Sequence, residues 1–576
     1  MGATVNAILV VCFMIVGQAL TMTSPELQQR LQDLDTFIQN LMTCESRPVV
    51  GLTVSVVKDG QTIFAKGYGQ RDLQTGQAVD NRTLFGVGSI SKSFTTALLA
   101  SILGEREDVS WDTVLTDILG PSFRFRDQFR TKEATLRDIL AHKTGLENQV
   151  FAITTGQDID RSELARRMRY YRQVYPFRTF WYYNNPLNTL AGHVAEKLTG
   201  KSYEALLRER ILQPLGMDDT VYLADALEDE GFSNFAQTYL TYNTQVIMNP
   251  TAKRNSGRPL KLHLPAGGVV SNALDMARYM KFHLSGGRDT AGRAVVPEDT
   301  LRQTHAADFT SPPVTDTLDK LDPDWPVEAG TTQGYGLGWF AGTYRGYKRV
   351  QHSGFVAGFA SLLSLYPAAS GGVYTSVNGP YTPGVASDIH EIIHALVGDI
   401  LTGKDHWLNA TTACTYPEPW WTRPEPNGTA LPEISDNFPR DKRDYEGVYG
   451  NHATGNLTIS LNTTDDKLYF SLGLIVRGLV LPTDSANRIL LRSQGPLAYI
   501  SLIVADVGQK DGKVFSLSLQ NDPPEGTVLF ERGLKLTDPD PTQTQWDDCV
   551  SGSPERASSS NAFAILLFLA YVYCFI

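Results

Sequence analysis

The segment Gly86-Val87-Gly88-Ser89-Ile90-Ser91-Lys92-Ser93-Phe94-Thr95-Thr96 sets a serine and a lysine three residues apart at the head of a helix-like run. Side chains spaced by three lie on the same face of a helix. If the first turn points into a cleft, hydroxyl and amine converge there. A buried or crowded lysine loses its proton near neutral pH and then serves as a base for the hydroxyl. The spacing alone is also common on exposed helix starts, where the lysine is simply solvated. The rest of the chain decides between the two.

Two further segments follow in order. One is Trp181-Tyr182-Tyr183-Asn184-Asn185; the other is His352-Ser353-Gly354 with Phe355-Val356-Ala357-Gly358-Phe359 behind it. In that order they resemble the S-x-x-K, Y-x-N and K/H-[ST]-G motifs of the serine β-lactamase and penicillin-binding-protein superfamily, with the class C branch and its D,D-peptidase and esterase relatives nearest. Thr135-Leu136-Arg137-Asp138-Ile139-Leu140-Ala141-His142-Lys143-Thr144-Gly145-Leu146 is similar to another signature of that superfamily. So are Pro214-Leu215-Gly216-Met217-Asp218-Asp219-Thr220, Pro265-Ala266-Gly267-Gly268-Val269-Val270-Ser271 and Tyr335-Gly336-Leu337-Gly338-Trp339. The resemblance spans residues 25 to 405.

The resemblance implies an α+β chain of β-lactamase/transpeptidase-like fold: an antiparallel sheet flanked by helices, with a helical region inserted between its halves. It implies a serine hydrolase that needs no cofactor and no metal and acts on a small-molecule or peptide substrate. Ser89 would form an acyl-enzyme, and Lys92 and Tyr183 would move its proton. Asn185 would hydrogen-bond Lys92 and the substrate amide, and His352 would donate to Tyr183 or to a substrate carboxylate. The backbone N–H groups of Ser89 and Phe355, on the segment that also carries Ser353 and Gly354, would form the oxyanion hole. Histidine at 352 in place of lysine removes a fixed positive charge. That favours an ester- or amide-cleaving peptidase or esterase over a true β-lactamase. The alternative is a catalytically retired scaffold or matrix protein that only binds.

Two motifs compete. Lys143-Thr144-Gly145 is a literal K-T-G, but it precedes Tyr183 and follows a helix-like run, so its glycine reads as a helix C-cap. His390-Glu391-Ile392-Ile393-His394 is a literal H-E-x-x-H, which on a helix can bind zinc. Ile389, Ile392, Ile393, Leu396, Val397 and Ile400 make that helix an apolar stripe, and no third ligand follows. A zinc metallopeptidase using His390, Glu391 and His394 is therefore the minor alternative. No G-x-S-x-G nucleophile elbow is present, which sets aside the α/β-hydrolases.

The 576 residues, 42% hydrophobic and 20% charged, suit a large globular chain, and a net charge of −11 gives no reason to expect nucleic acid as a partner. Residues 1–19 read as a signal peptide, with an apolar run from Ala7 to Leu20. The hydrolase domain would occupy 20–405, a Pro-rich linker 406–440, and a small β-barrel-like domain 441–545, where Leu457, Ile459 and Leu461 alternate with polar residues. The tail 546–576 pairs small residues and a polar spacer with a terminal apolar run, the pattern of a GPI-attachment signal. An extracellular protein, cell-surface anchored or secreted, is expected, meeting the membrane only through a lipid. Sequons at Asn81, Asn409, Asn427, Asn456 and Asn462 are candidate glycosylation sites. Processing would leave Cys44, Cys414 and Cys549, an odd number whose pairing the spacing leaves open. A Cys44–Cys414 bridge would tie the ends of the catalytic domain. Oligomeric state is not legible. The pocket walls would come from loops at 148–175 and 243–261.

Overall fold

The computed structural model describes residues 24–149, 159–228, 232–242, 245–248, 261–308, 331–380, 388–418, 420, 432–474, 476–494, 503–520, 525–535 and 538. The expected signal peptide and C-terminal tail lie outside them, as do Asn427, residues 150–158 of the first expected pocket-wall loop and most of the second; the first is not all loop, since Asp160 caps a helix at Arg161–Arg167.

An N-terminal helix, α1 (Ser24–Leu41), buries the stripe Leu34, Ile38 and Leu41. It leads into the hairpin β1 (Gly51–Lys58) and β2 (Gln61–Asp72), whose tight turn puts Asp59 and Gly60 at positive φ. With β3 (Gln77–Ala78) these form one half of a sheet. The other half comes from far along the chain: β4 (Thr331–Tyr335), β5 (Phe340–Tyr344), β6 (Tyr347–Val356), β7 (Phe359–Tyr366) and β8 (Gly371–Val377). The order is β3-β2-β1-β8-β7-β6-β5-β4, antiparallel throughout. Residues 336–339 are the connection between β4 and β5.

Each face of this sheet is covered. On one side α4 (Ala273–Leu284) brings Met276 and Met280 against Val57, Leu365 and Tyr374. On the other, α1 and α5 (Asp388–Thr402) pack Ile389, Ile392, Ile393 and Ile400 against Leu52, Val54, Val56 and Val373. The intervening helical region contains α2 (Ser91–Leu103), all of whose residues are buried, and α3 (Asn185–Thr199). Burial on every side places α2 in the middle of the domain. The hydroxyls of α2 are satisfied there: Ser91 Oγ accepts from Val269 N (2.9 Å), and Thr95 Oγ1 donates to the Pro265 carbonyl (2.7 Å).

The C-terminal domain is a closed antiparallel barrel of eight strands: β9 (Gly447–Asn451), β10 (Gly455–Asn462), β11 (Lys467–Leu472), β12 (Val476–Pro482), β13 (Arg488–Gln494), β14 (Ile503–Lys510), β15 (Lys513–Gln520) and β16 (Thr527–Arg532). Leu457, Ile459, Phe470, Val480, Ile489, Leu517 and Phe530 fill it, and closure leaves no free edge. The stretch between the domains is not featureless. Asn409 caps a helix at Ala410–Thr415, and Trp407 meets the Trp420 ring at 5.1 Å and donates to Tyr344 Oη (3.0 Å). Asn81, Asn409, Asn456 and Asn462 are exposed.

Two corrections concern local structure. The helix carrying Arg137 and Asp138 spans Leu136–Leu140, and His142 takes the left-handed conformation behind it, so Gly145 is not its C-cap. Gly145 lies in a later turn, where its carbonyl accepts from Val174 N and Tyr175 N. The H-E-x-x-H motif is helical, but its rings face the sheet. His394 pairs through Nδ1 with Ser364 Oγ (2.8 Å) and through Nε2 with Thr375 Oγ1 (3.0 Å), while His390 Nδ1 pairs with Thr375 Oγ1 (2.7 Å). Among the described residues no cluster of three metal-ligating side chains exists.

Cys44 and Cys414 form a disulfide across 370 residues. Beside it, Ser46 Oγ donates to the Cys414 carbonyl (2.8 Å), and a buried Arg47–Asp388 ion pair joins α5 to the same corner. Cross-linking so long a loop restricts the unfolded chain. Replacing both cysteines by serine is expected to destabilise the hydrolase domain by about 2–4 kcal/mol. Calorimetry should show its transition shifted down while that of the barrel, outside the loop, stays in place.

Candidate active site

Ser89 sits in a 3-10 turn, Gly88–Ile90, that runs directly into α2. Gly88 has φ +53, and a Cβ there would lie 2.3 Å from Phe355 N. On the facing strand a Cβ at Gly354 would lie 1.9 Å from the Val87 carbonyl, which accepts a hydrogen bond from Ser361 Oγ (2.8 Å). Two glycines thus let the serine turn lie flush against β6. The contact brings the backbone of Ser89 beside that of Phe355, with Ser353 and Gly354 on the same strand.

Lys92, in the first turn of α2, is completely buried. Its Nζ is hydrogen-bonded to Ser89 Oγ (2.9 Å) and donates to the Ala266 carbonyl (2.8 Å). It lies 4.7 Å from the centroid of the Tyr183 ring. Burial drives the Lys92 pKa well below the ordinary lysine value. Expected as a partner for this amine, Asn185 does not bond it. The Pro265-Ala266-Gly267 turn packs on α2 and supplies the acceptor instead. Asn185 is buried, its N–H donates to Asn148 Oδ1 (2.8 Å), and its own Oδ1 has no hydrogen-bond partner among the described residues.

Tyr183 enters the site just ahead of α3. That helix starts here because Asn184 Oδ1 accepts from Leu187 N (3.1 Å) and Pro186 occupies its first turn. Asn184 also donates to the carbonyls of Leu146 (3.0 Å) and Glu147 (2.9 Å), pinning the motif to the preceding loop.

His352 stands 6.3 Å from Tyr183, ring to ring, but its nitrogens are used elsewhere. Nδ1 pairs with the Ser353 carbonyl (2.6 Å), so it carries the proton, and Nε2 accepts from Tyr335 Oη (3.0 Å). The expected donation to Tyr183 is therefore absent. Burial pushes the His352 pKa down to about 3, and a charge on Lys92 would act in the same direction. His142 is also buried and held well below its usual value; it accepts from Asn184 N through Nδ1 (3.0 Å) and lies 4.6 Å from the Tyr183 ring.

The structure thus assembles Ser89, Lys92, Tyr183 and His352 in one neighbourhood and adds Tyr335, His142, Ala266 and Asn148. Tyr335, His142 and Ala266 lie inside segments notable in the sequence, whereas Asn148 is marked only as the start of an expected pocket-wall loop.

A serine whose hydroxyl faces a desolvated amine can act as a nucleophile. Only the free amine can take its proton, so acylation is expected to rise with pH along a limb well below the ordinary lysine value and to vanish in Lys92→Met. Because the folded state lowers this pKa, the unfolded chain binds the extra proton. Wild-type stability therefore rises with pH toward the unfolded lysine value of about 10.4. Any stability advantage of Lys92→Met is expected to shrink over that range, as urea titrations at several pH values can show.

A profile of the family described as Beta-lactamase matches residues 34–397. Over 447 residues the chain is 25% identical to a protein named unguisins hydrolase ungD from Aspergillus violaceofuscus, covering 73% of this chain and 75% of that one. It is 32% identical over 209 residues to a D-aminopeptidase of Brucella anthropi, covering 35% of this chain and 38% of that one. Among solved structures, the octameric penicillin-binding protein homologue from Pyrococcus abyssi is similar in fold, with a TM-score of 0.51 at 21% identity over 87% of this chain and 100% of that one.

Proposed function

The chain belongs to the Beta-lactamase family, and on that footing we propose that it is a serine hydrolase of the peptidase or esterase type that cleaves a small amide or ester through an acyl-enzyme on Ser89. The observation that carries this is the 2.9 Å contact between Ser89 Oγ and a fully buried Lys92 amine whose pKa is depressed. Ser89 Oγ attacks the substrate carbonyl as its proton passes to Lys92 Nζ. The oxyanion forms toward the backbone of Ser89 and Phe355, which Gly88 and Gly354 bring together. Collapse expels the amine or alcohol, which leaves with a proton from Lys92, relayed by Tyr183. Water then repeats the sequence on the acyl-serine and restores the hydroxyl.

The charge state of the site narrows the substrate. With His352 and His142 both held neutral, neither supplies the cation that would bind a substrate carboxylate. Neutral amides and esters fit better than β-lactams or peptides recognised by a terminal carboxylate.

We place this hydrolase outside the cell. Support comes from the Cys44–Cys414 disulfide, which suits an oxidising compartment, and from the exposed sequons at Asn81, Asn409, Asn456 and Asn462. The apolar terminal runs suit a leader and a lipid anchor.

Labelling of the purified protein by a fluorophosphonate probe, together with turnover of short esters and D-amino-acid amides, is expected and should be lost in Ser89→Ala. Absence of labelling in folded protein would instead favour the scaffold role. Chelators are expected to leave the activity unchanged, because both rings face the sheet, His394 bonded through both nitrogens to Ser364 and Thr375 and His390 through Nδ1 to Thr375, with no third ligand beside them among the described residues.

A further inference from the structure

The loop that templates the Tyr183-Asn184-Asn185 motif is itself held by the barrel. Glu525, in the turn before β16 and only 5% exposed, reaches across the domain boundary. Its Oε1 accepts from Asn148 N and from Tyr182 Oη (2.7 Å). Asn148 is the residue whose Oδ1 fixes Asn185 N, and Tyr182 immediately precedes Tyr183. The carboxylate therefore grips one neighbour of each motif residue.

Around this contact the two domains share a polar network. Arg172 Nε donates to Glu147 Oε2 (2.8 Å), and its Nη2 donates to the Glu525 carbonyl (2.9 Å). Gln149 Nε2 donates to Glu147 Oε1 (2.6 Å), and Gln149 Oε1 accepts from barrel residue Thr454 Oγ1 (2.8 Å). His452 of the barrel stacks on Tyr170 at 4.8 Å. A buried carboxylate must be hydrogen-bonded to offset its desolvation, and charge-assisted bonds are the stronger kind. Glu525 meets that need with donors on the catalytic loop, so the docked barrel holds the loop in this conformation.

We propose that Glu525 is a positioning residue of the catalytic centre: through Asn148 and Tyr182 its carboxylate sets the Tyr183–Asn185 segment, and the working site is built by both domains. This rests on the Ser89 acyl-enzyme mechanism proposed above. It gives the barrel a part in turnover beyond that of an appended shell.

The test uses the full chain, with acylation followed by fluorophosphonate labelling and turnover by a chromogenic ester. In Glu525→Ala the acylation rate and kcat are expected to fall about 10- to 100-fold with KM little changed, as for misplacement of a reacting group. Glu525→Gln keeps an oxygen that accepts from both donors and is expected to recover most of the rate. Tyr182→Phe is expected to give a partial loss that does not multiply with that of Glu525→Ala. A folded Glu525→Ala protein with wild-type kcat overturns the proposal, as does a loss confined to KM or one that glutamine does not rescue. Should Glu525→Ala fail to fold, the cycle of Glu525→Asp, whose shorter side chain withdraws the carboxylate from both donors, with Tyr182→Phe decides: additive effects on acylation overturn the proposal and coupled effects support it. Ser89→Ala separates the two levels. Labelling that survives Ser89→Ala overturns the proposed function, whereas Ser89-dependent labelling indifferent to Glu525 overturns this inference alone.

Discussion

The burial of one amine organises the hydrolase domain. Lys92 lies in a helix whose every residue is buried, and a charged ammonium could not be held there without a compensating anion. The structure supplies a neutral carbonyl, that of Ala266, and a hydroxyl, that of Ser89. Both suit a free amine, and neither repays a cation. The helix is kept in place by features that concern packing only, such as the stacked Phe94 and Tyr279 rings 3.8 Å apart and the hydroxyls of Ser91 and Thr95. What looks like structural support is therefore also what perturbs the lysine. Packing α2 more loosely would admit water and return the amine to its ordinary, protonated state.

A second constraint follows from where Ser89, the proposed nucleophile, is placed. Ser89 lies at the edge of the helical region, while the strand it faces belongs to a sheet assembled from both ends of the hydrolase domain. The two meet at Gly88 and Gly354, where neither backbone leaves room for a Cβ. The disulfide and the Arg47–Asp388 pair hold the far side of the same sheet, joining the chain before β1 to the helices after β8. The architecture thus closes around the site from elements more than two hundred residues apart in the chain.

The sequence showed most clearly what local chemistry determines. Helix α5 was legible from its isoleucine stripe, and the barrel strands from the alternation around Leu457, Ile459 and Leu461. Ser89, Lys92, Tyr183 and His352 were found because they sit in ordered motifs. The partners of those residues were not legible. That Ala266 rather than Asn185 would meet the lysine depends on how the 264–267 turn packs on α2, which no spacing encodes. That His352 would spend Nε2 on Tyr335 depends on β4 and β6 lying on either side of β5. Glu525 is further still from local inference, since its meaning comes from a domain contact nearly 350 residues from Tyr182.

The histidines show how burial sorts similar residues into different work. His390 and His394 form a motif that elsewhere can hold zinc, yet here they lie against β7 and β8, and each ring is committed to sheet hydroxyls. Burial pushes the His390 pKa down to about 3, the same value that His352 reaches. Neither titrates near neutral pH, but the consequences differ. For His390 the neutral ring stabilises the sheet–helix contact without leaving a charge inside it. For His352 it removes a cation from the neighbourhood of Ser89 and Lys92. A protonated imidazole there would repel any proton arriving on Lys92 and so oppose the transfer from Ser89. A neutral ring of such low basicity sets no positive charge beside Lys92, and so leaves the free amine able to take the Ser89 proton in the proposed acylation.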